Sequence, residues 1–204
     1  MSNVIKRYTE LSYMLHMLTS KKIRLLDPRF WDDKNDFYFM SRYKSLKKIQ
    51  SILALCFTEG QERYHHWKVF SGTASGVRID FNKGNIISTI KSIAGIRYGN
   101  VCYEKLNKLE ACPPNIKDIP FIKRHAYYDE KEFRIIYEDD IDEIYFYDID
   151  FKIQDIENIT LNPWISKDCV ESIRKLVHKI DGCSKIKVKS SYIINSERWK
   201  NLAK

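Results

Sequence analysis

Polar and apolar positions alternate along several short stretches of the chain and recur at helical spacing along others, and this rhythm predicts the elements. Residues 4–9 alternate as a first strand. Thr9 then predicts the cap of a helix carrying Leu11, Met14, Leu15 and Leu18 on one face, with Lys21 and Lys22 suited to its C-terminal end. A second strand over 22–26 stops at Asp27-Pro28. An aromatic and acidic segment, 29–39, leads into a helix over 37–50 and an apolar strand over 51–58, in which Cys56 reads as a small core residue. A short aromatic helix over 61–70, a Ser/Gly-rich loop over 71–76 and a strand over 77–81 follow. Beyond a strand at 96–103 and a break at Pro113-Pro114, the runs 130–137 and 143–153 read as a hairpin around Glu138-Asp139-Asp140. Residues 156–161 form another strand, ended by Asn162-Pro163. Ser166 caps a helix with Val170, Ile173, Val177 and Ile180 on its inner face, stopped at Asp181-Gly182. The last run alternates Lys185, Ile186, Lys187, Val188, Lys189. Helices set between several strands predict a single α+β domain over 1–204 with a mixed β-sheet core.

Composition narrows the class. At 204 residues, 44% hydrophobic and 13% aromatic, the chain can build a real core, so disorder is excluded as the dominant state. The longest apolar runs fall far short of the roughly 20 residues that span a bilayer, and no basic-then-apolar leader opens the sequence. The expectation is a cytoplasmic protein with no membrane partner. The five cysteines form no C-x-x-C pair, and His65-His66, the only adjacent histidines, do not share a helix face, so no zinc spacing is present. A net charge of +8 favours anionic partners such as nucleotides, nucleic acid or an acidic protein, or serves solubility alone.

The sharpest candidate for chemistry is Glu130-Lys131-Glu132-Phe133-Arg134. Residues two apart share a face of a strand, so Glu130, Glu132 and Arg134 are expected to line one side. Two carboxylates at that spacing repel and separate in pKa, which suits acid–base or cation-stabilising work. The plain alternative is a solvated strand whose Glu and Arg pair, worth about 0–1 kcal/mol. The 71–76 loop offers Ser71, Thr73 and Ser75 with two glycines and suits close approach to a phosphate or ribose, or is an ordinary turn. Lys185, Lys187 and Lys189 form a phosphate-tracking stripe or protect an edge strand. Lys44, Lys47 and Lys48 read as a solvated helix face. Tyr64, Trp67 and Phe70, at helical spacing, read as core.

A family resemblance adds to this. Lys6-Arg7-Tyr8-Thr9, the Phe30-Trp31-Asp32-Asp33 run, His66-Trp67, Gly76-Val77-Arg78-Ile79-Asp80-Phe81, Glu130-Lys131-Glu132-Phe133-Arg134 and Ile156-Glu157-Asn158-Ile159-Thr160-Leu161 resemble the motifs of a bacterial family of domains of unknown function. Some of its members sit in phage-defence, abortive-infection settings. Trp is usual in that family where Phe133 stands here. Its layout in turn resembles ADP-ribosyltransferases. That resemblance implies an NAD-consuming transferase, a toxin-like effector with a nucleic-acid or protein acceptor and room for a neutralising antitoxin. In it, Glu132 stabilises the charge that builds on the ribose, Glu130 orients or deprotonates the acceptor, and Arg7 clamps the pyrophosphate. Ser71, Thr73 or Ser75 supplies the hydroxyl of the middle strand, and Arg134 joins the cofactor-binding set. This middle motif departs from the family's usual pattern.

Two other readings stay open. Asp80 with Asp129-x-Lys131 resembles the carboxylate-and-lysine arrangement of metal-dependent nucleases. A non-catalytic basic binding module, whose acidic strand is structural, accounts for the same composition.

Overall fold

The computed structural model describes residues 3–71 and 75–203. It is an α+β protein with both parallel and antiparallel strand pairs. In chain order the elements are β1 (Val4–Glu10), α1 (Leu11–Ser20), β2 (Lys22–Leu26), α2 (Lys34–Lys47), β3 (Ser51–Thr58), α3 (Tyr64–Phe70), β4 (Gly76–Asn82), α4 (Lys83–Ile90) and β5 (Ile96–Asn100). There follow β6 (Cys102–Glu104), α5 (Leu106–Ala111), β7 (Ile122–Arg124), β8 (Glu132–Asp139), β9 (Phe146–Asp150), β10 (Ile156–Leu161), α6 (Lys167–Lys179), β11 (Val188–Ser190) and α7 (Glu197–Lys200). Among the described residues no helix is long and apolar enough to cross a membrane. Two compact units interleave along the sequence. The first takes Met1–Lys22, Gln61–Ile86 and Phe151–Lys204, the second Ile23–Gly60 and Ile87–Asp150.

In the first unit β1 runs antiparallel to β4, β4 antiparallel to β10, and β10 parallel to β11. Side chains alternate across each strand, so the register sorts them into two faces. Ile5, Ile79, Phe81, Ile159 and Val188 fall on one face and are buried. Tyr8, Arg78, Thr160 and Lys189 stand opposite one another on the other face, with Lys6, Asp80 and Asn158 beside them. Helix α6 keeps the expected cap, with Ser166 Oγ accepting from the Cys169 amide, and buries Val170, Ile173 and Val177. Helix α1 instead starts after Glu10 with no side-chain cap, and Lys21 ends it in the left-handed region at φ 55°.

In the second unit β3 is the central strand. It pairs antiparallel with β8 along its whole length and meets β2 where Leu26 faces Ala54. Strand β5 adds to the far side of β8. The expected hairpin of 130–137 with 143–153 does not form, because β9 lies beside β2 and not beside β8. Residues 132–136 of β8 are all buried, so this strand needs a partner on each edge, and β3 and β5 supply them. Helix α2 begins three residues before the expected start because Asp33 caps it, accepting from the amides of Asn35 and Asp36. Such a cap stabilises a helix by about 1 kcal/mol. Met40 and Tyr43 of α2 pack with Ile49, Ile52, Ala54, Ile119 and Ile136 into the core of this unit.

Candidate functional site

Strand β8 opens with Glu132 and continues through Phe133 to Arg134. Phe133 and Ile135 turn into the apolar core, which leaves Glu132 and Arg134 together on the opposite side of the strand. Glu130 precedes the strand, in a 3₁₀ turn over His125–Glu130, and Lys131 between them takes a left-handed φ of 45°. The expected three-residue strand face is therefore two strand residues plus a carboxylate from a turn.

Arg134 is fully buried and all five of its N–H donors are engaged. Nε donates to Glu132 Oε1 at 2.6 Å and Nη2 to Glu132 Oε2 at 3.1 Å. Nη1 and Nη2 reach the two oxygens of Asp36 at 3.0 and 2.6 Å, and Nη1 also donates to the Pro120 carbonyl at 2.8 Å. The Trp31 ring lies under the guanidinium, 4.9 Å from its carbon. The arginine expected to bind cofactor has no donor left for one. It holds two carboxylates in place.

Lys123, from β7, is the second cation. Its Nζ lies 2.7 Å from Glu130 Oε2, 3.5 Å from Glu132 Oε2 and 3.7 Å from Asp36 Oδ2. Three carboxylates thus share two cations. Their proton affinities diverge. Burial alone would push Glu132 up, but the charge and hydrogen bonds of Arg134, with Lys123 and the Cys56 thiol, hold it down to about 2. For Glu130 burial prevails over the Lys123 charge and, with Glu132 and Asp36 adding repulsion, raises it above the usual carboxylate range. Asp36 is raised as well, burial outweighing Arg134. Lys123 is held charged: its carboxylate neighbours overcome the effect of burial and raise it.

Access to the cluster is uneven. Glu132 is 5% exposed. Glu130 is half-buried, and among the described residues its Oε1 accepts no hydrogen bond. Cys56, expected in the core, is instead the exposed position of β3 and stands opposite Arg134 in the register. Although its side chain touches solvent, the dense protein packed around it and then the Glu132 charge push its thiol well above its ordinary range, so it is a neutral donor at neutral pH. On the α2 side a shallow recess, open to solvent, is lined by Asp33, Asp36, Phe39, Ile122, Lys123 and Arg124, among others.

Of the remaining expected residues, Arg7, Ser71, Ser75 and Asp80 belong to the first unit. Arg7 is half-buried on β1 opposite Ile79, on the face away from Arg78 and Asp80. Ser71 is 2% exposed and its Oγ donates to the Trp67 carbonyl at 2.5 Å. A Cβ at Gly76 would stand 2.2 Å from the Ser71 Cβ, so that hydroxyl is part of a packed turn. Ser75 accepts through its carbonyl from the Leu11 amide. Thr73 lies outside the described residues. The carboxylate of Asp80 is taken at both oxygens, by Arg78 at 2.7 and 3.1 Å and by Asn158 at 3.1 Å, which leaves it unlike a ligand waiting for a metal. Asp129 and Lys131 lie in the second unit, and Lys131 is exposed.

Sequence reasoning missed Asp36 and Lys123. Asp36 did carry a signal. It stands in line with Met40 and Tyr43 on the buried stripe of α2, and an acid on such a stripe needs a cationic partner. Lys123 carried none, since it emerges from an apolar run whose course only the fold defines. Comparison with protein-family models and with curated proteins yields no match for the chain.

Proposed function

We propose that the second unit carries an ADP-ribosyltransferase-like site that uses NAD as its substrate, with Glu130 and Glu132 as its working pair. The observation that carries this reading is the split between two carboxylates around one lysine: Glu132 held ionised, Glu130 raised and open at one oxygen. Environments that drive two acids apart in this way divide them into a fixed charge and a proton carrier. Cleavage of the nicotinamide–ribose bond builds positive charge on the ribose, and the ionised Glu132 would stabilise it. Glu130 would take the proton of the acceptor as its bond to the sugar forms. Arg134, Asp36 and Lys123 act through these two as positioning residues. The support rests on the carboxylate pair, since Ser71 is committed to its own turn. The family resemblance adds an effector role, expected to show as toxicity on expression that Glu132→Gln removes.

The test is nicotinamide release from NAD by the purified protein in the presence of a chelator. Release by the wild type, lost in Glu132→Gln and lowered about 10²- to 10⁴-fold in Glu130→Gln, is the expected result. No release together with no NAD binding by calorimetry would contradict the proposal. One observation favours a second reading, a non-catalytic binding module: Arg134 and Glu132 satisfy each other so fully that they would serve the fold alone. On that reading Glu132→Gln destabilises the protein and leaves its biological effect intact.

A further inference from the structure

Charge is concentrated at the end of the chain. Residues 167–204 hold ten lysines and arginines against four aspartates and glutamates, so they supply six of the eight net positive charges. All of them belong to the first unit. Within this stretch Ile186 and Val188 are buried, while Lys185 and Lys187 are exposed and Lys189 is half-buried. Residues two apart along an extended chain repeat at about 7 Å, so Lys187 and Lys189 leave the same side of the chain, with Lys185 exposed in the turn that leads into it. Among the described residues, none of the three is in an ion pair.

Protection of a strand edge does not account for these lysines. The Lys187 carbonyl accepts from the Ile159 amide of β10 at 2.8 Å. The outward carbonyls are already covered by α6: Arg174 Nε donates to Val188 O at 3.2 Å, and His178 Nε2 lies 2.9 Å from Ile186 O. With its free edge capped by two side chains, β11 has little need of lysines to repel another strand. Two aromatic side chains stand free close by in sequence. Tyr192 is 67% exposed and Trp199 76% exposed, the latter flanked by Arg198 and Lys200.

We propose that this basic C-terminal stretch of the first unit, the lysines of 185–189 with Tyr192 and, further along the chain, the exposed Trp199, binds single-stranded nucleic acid. Spaced cations follow a phosphate backbone, and exposed rings give unpaired bases a surface on which to stack. A duplex would use the lysines and leave the rings idle. A membrane surface fits less well, because α7 is four residues long and offers no extended amphipathic face. The surface is independent of the carboxylate site of the second unit, and its test reads binding alone.

The experiment is fluorescence anisotropy of a labelled 20-nucleotide oligothymidylate titrated with the full chain from 50 to 200 mM salt. Saturable binding is expected, at least tenfold tighter than to a duplex of the same length. Replacing Lys185, Lys187 and Lys189 together by Glu should weaken it more than tenfold. Replacing them by Gln should flatten the salt dependence by a slope of about 2. Trp199→Ala should weaken binding about tenfold with the salt slope unchanged. The Gln variant keeps the test decisive if the Glu variant misfolds. Absence of binding at 50 mM salt, binding that none of these variants changes, equal preference for the duplex, or binding only to vesicles containing phosphatidylserine would overturn the proposal.

Discussion

Each unit buries an arginine on an inner strand with a carboxylate two residues away, and the two pairs are completed differently. On β4, Arg78 grips Asp80 and reaches Glu62 at 3.2 Å and Thr160 at 3.3 Å. The acids are then finished by neutral donors: Asn158 on Asp80, Trp67 Nε1 at 2.7 Å and the Ser191 hydroxyl on Glu62. Tyr8, packed edge-on against Trp67 at 5.1 Å, is pushed up to about 12 by its burial and stays a neutral phenol. On β8, Arg134 is finished by a second acid, Asp36, and the surplus negative charge is met by a second cation, Lys123. Neutral donors satisfy a buried carboxylate without moving another proton. Charged partners couple every proton in the cluster to the rest. The same local motif is therefore a structural clasp in one unit and a proton-holding network in the other.

The largest expected effect breaks that contrast directly. Arg134→Met leaves Asp36 and Glu132 buried with only Lys123 and should cost about 3–5 kcal/mol in urea unfolding. Arg78→Met, whose acids keep their neutral donors, should cost about 1–3 kcal/mol. Equal costs would erase the distinction. Lys123→Met comes next, at about 2 kcal/mol at pH 7, shrinking as the pH is lowered and Glu130 takes up a proton. Acid titration of stability sharpens the point. Glu132 sits far below its ordinary 4.5 in the fold, so its contribution is present above that value and is lost as the pH falls toward 2. That loss, about 3 kcal/mol, should vanish in Glu132→Gln. Glu130 is raised, so its sign is opposite: it weakens the fold above its folded pKa and recovers as the pH falls through it. Glu130→Gln should accordingly raise stability slightly at pH 7, the smallest of these effects, read by the same urea unfolding.

Local chemistry was legible in the sequence where it is local in the fold. The Ser166 cap and the apolar stripe of α6 needed only residues three and four apart. The shared face of Glu132 and Arg134 needed only the alternation of a strand. Partner choice was not legible, because alternation states which side of β8 is buried and not which strands flank it. Its true neighbours are about 80 residues back, in β3, and about 40 back, in β5, whereas the nearby run that became β9 went to β2. The cluster itself suffered the same limit. Asp36 and Lys123 stand 96 and 9 residues from Glu132 in sequence, and only the fold of the second unit brings both into its cluster, Asp36 through Arg134 and Lys123 directly. Cys56 was misread because an apolar run does not disclose the one position in it that faces water.

Carboxyl ¹³C resonances followed by NMR across pH 1.5–8 test the difference between the two clusters most directly. Glu132 should titrate at about 2, Glu130 should take its proton above 4.5, and Lys123→Met should move both upward. Glu130 and Glu132 titrating together near 4.5, indifferent to Lys123, would contradict that difference and leave β8 with a clasp like the one on β4.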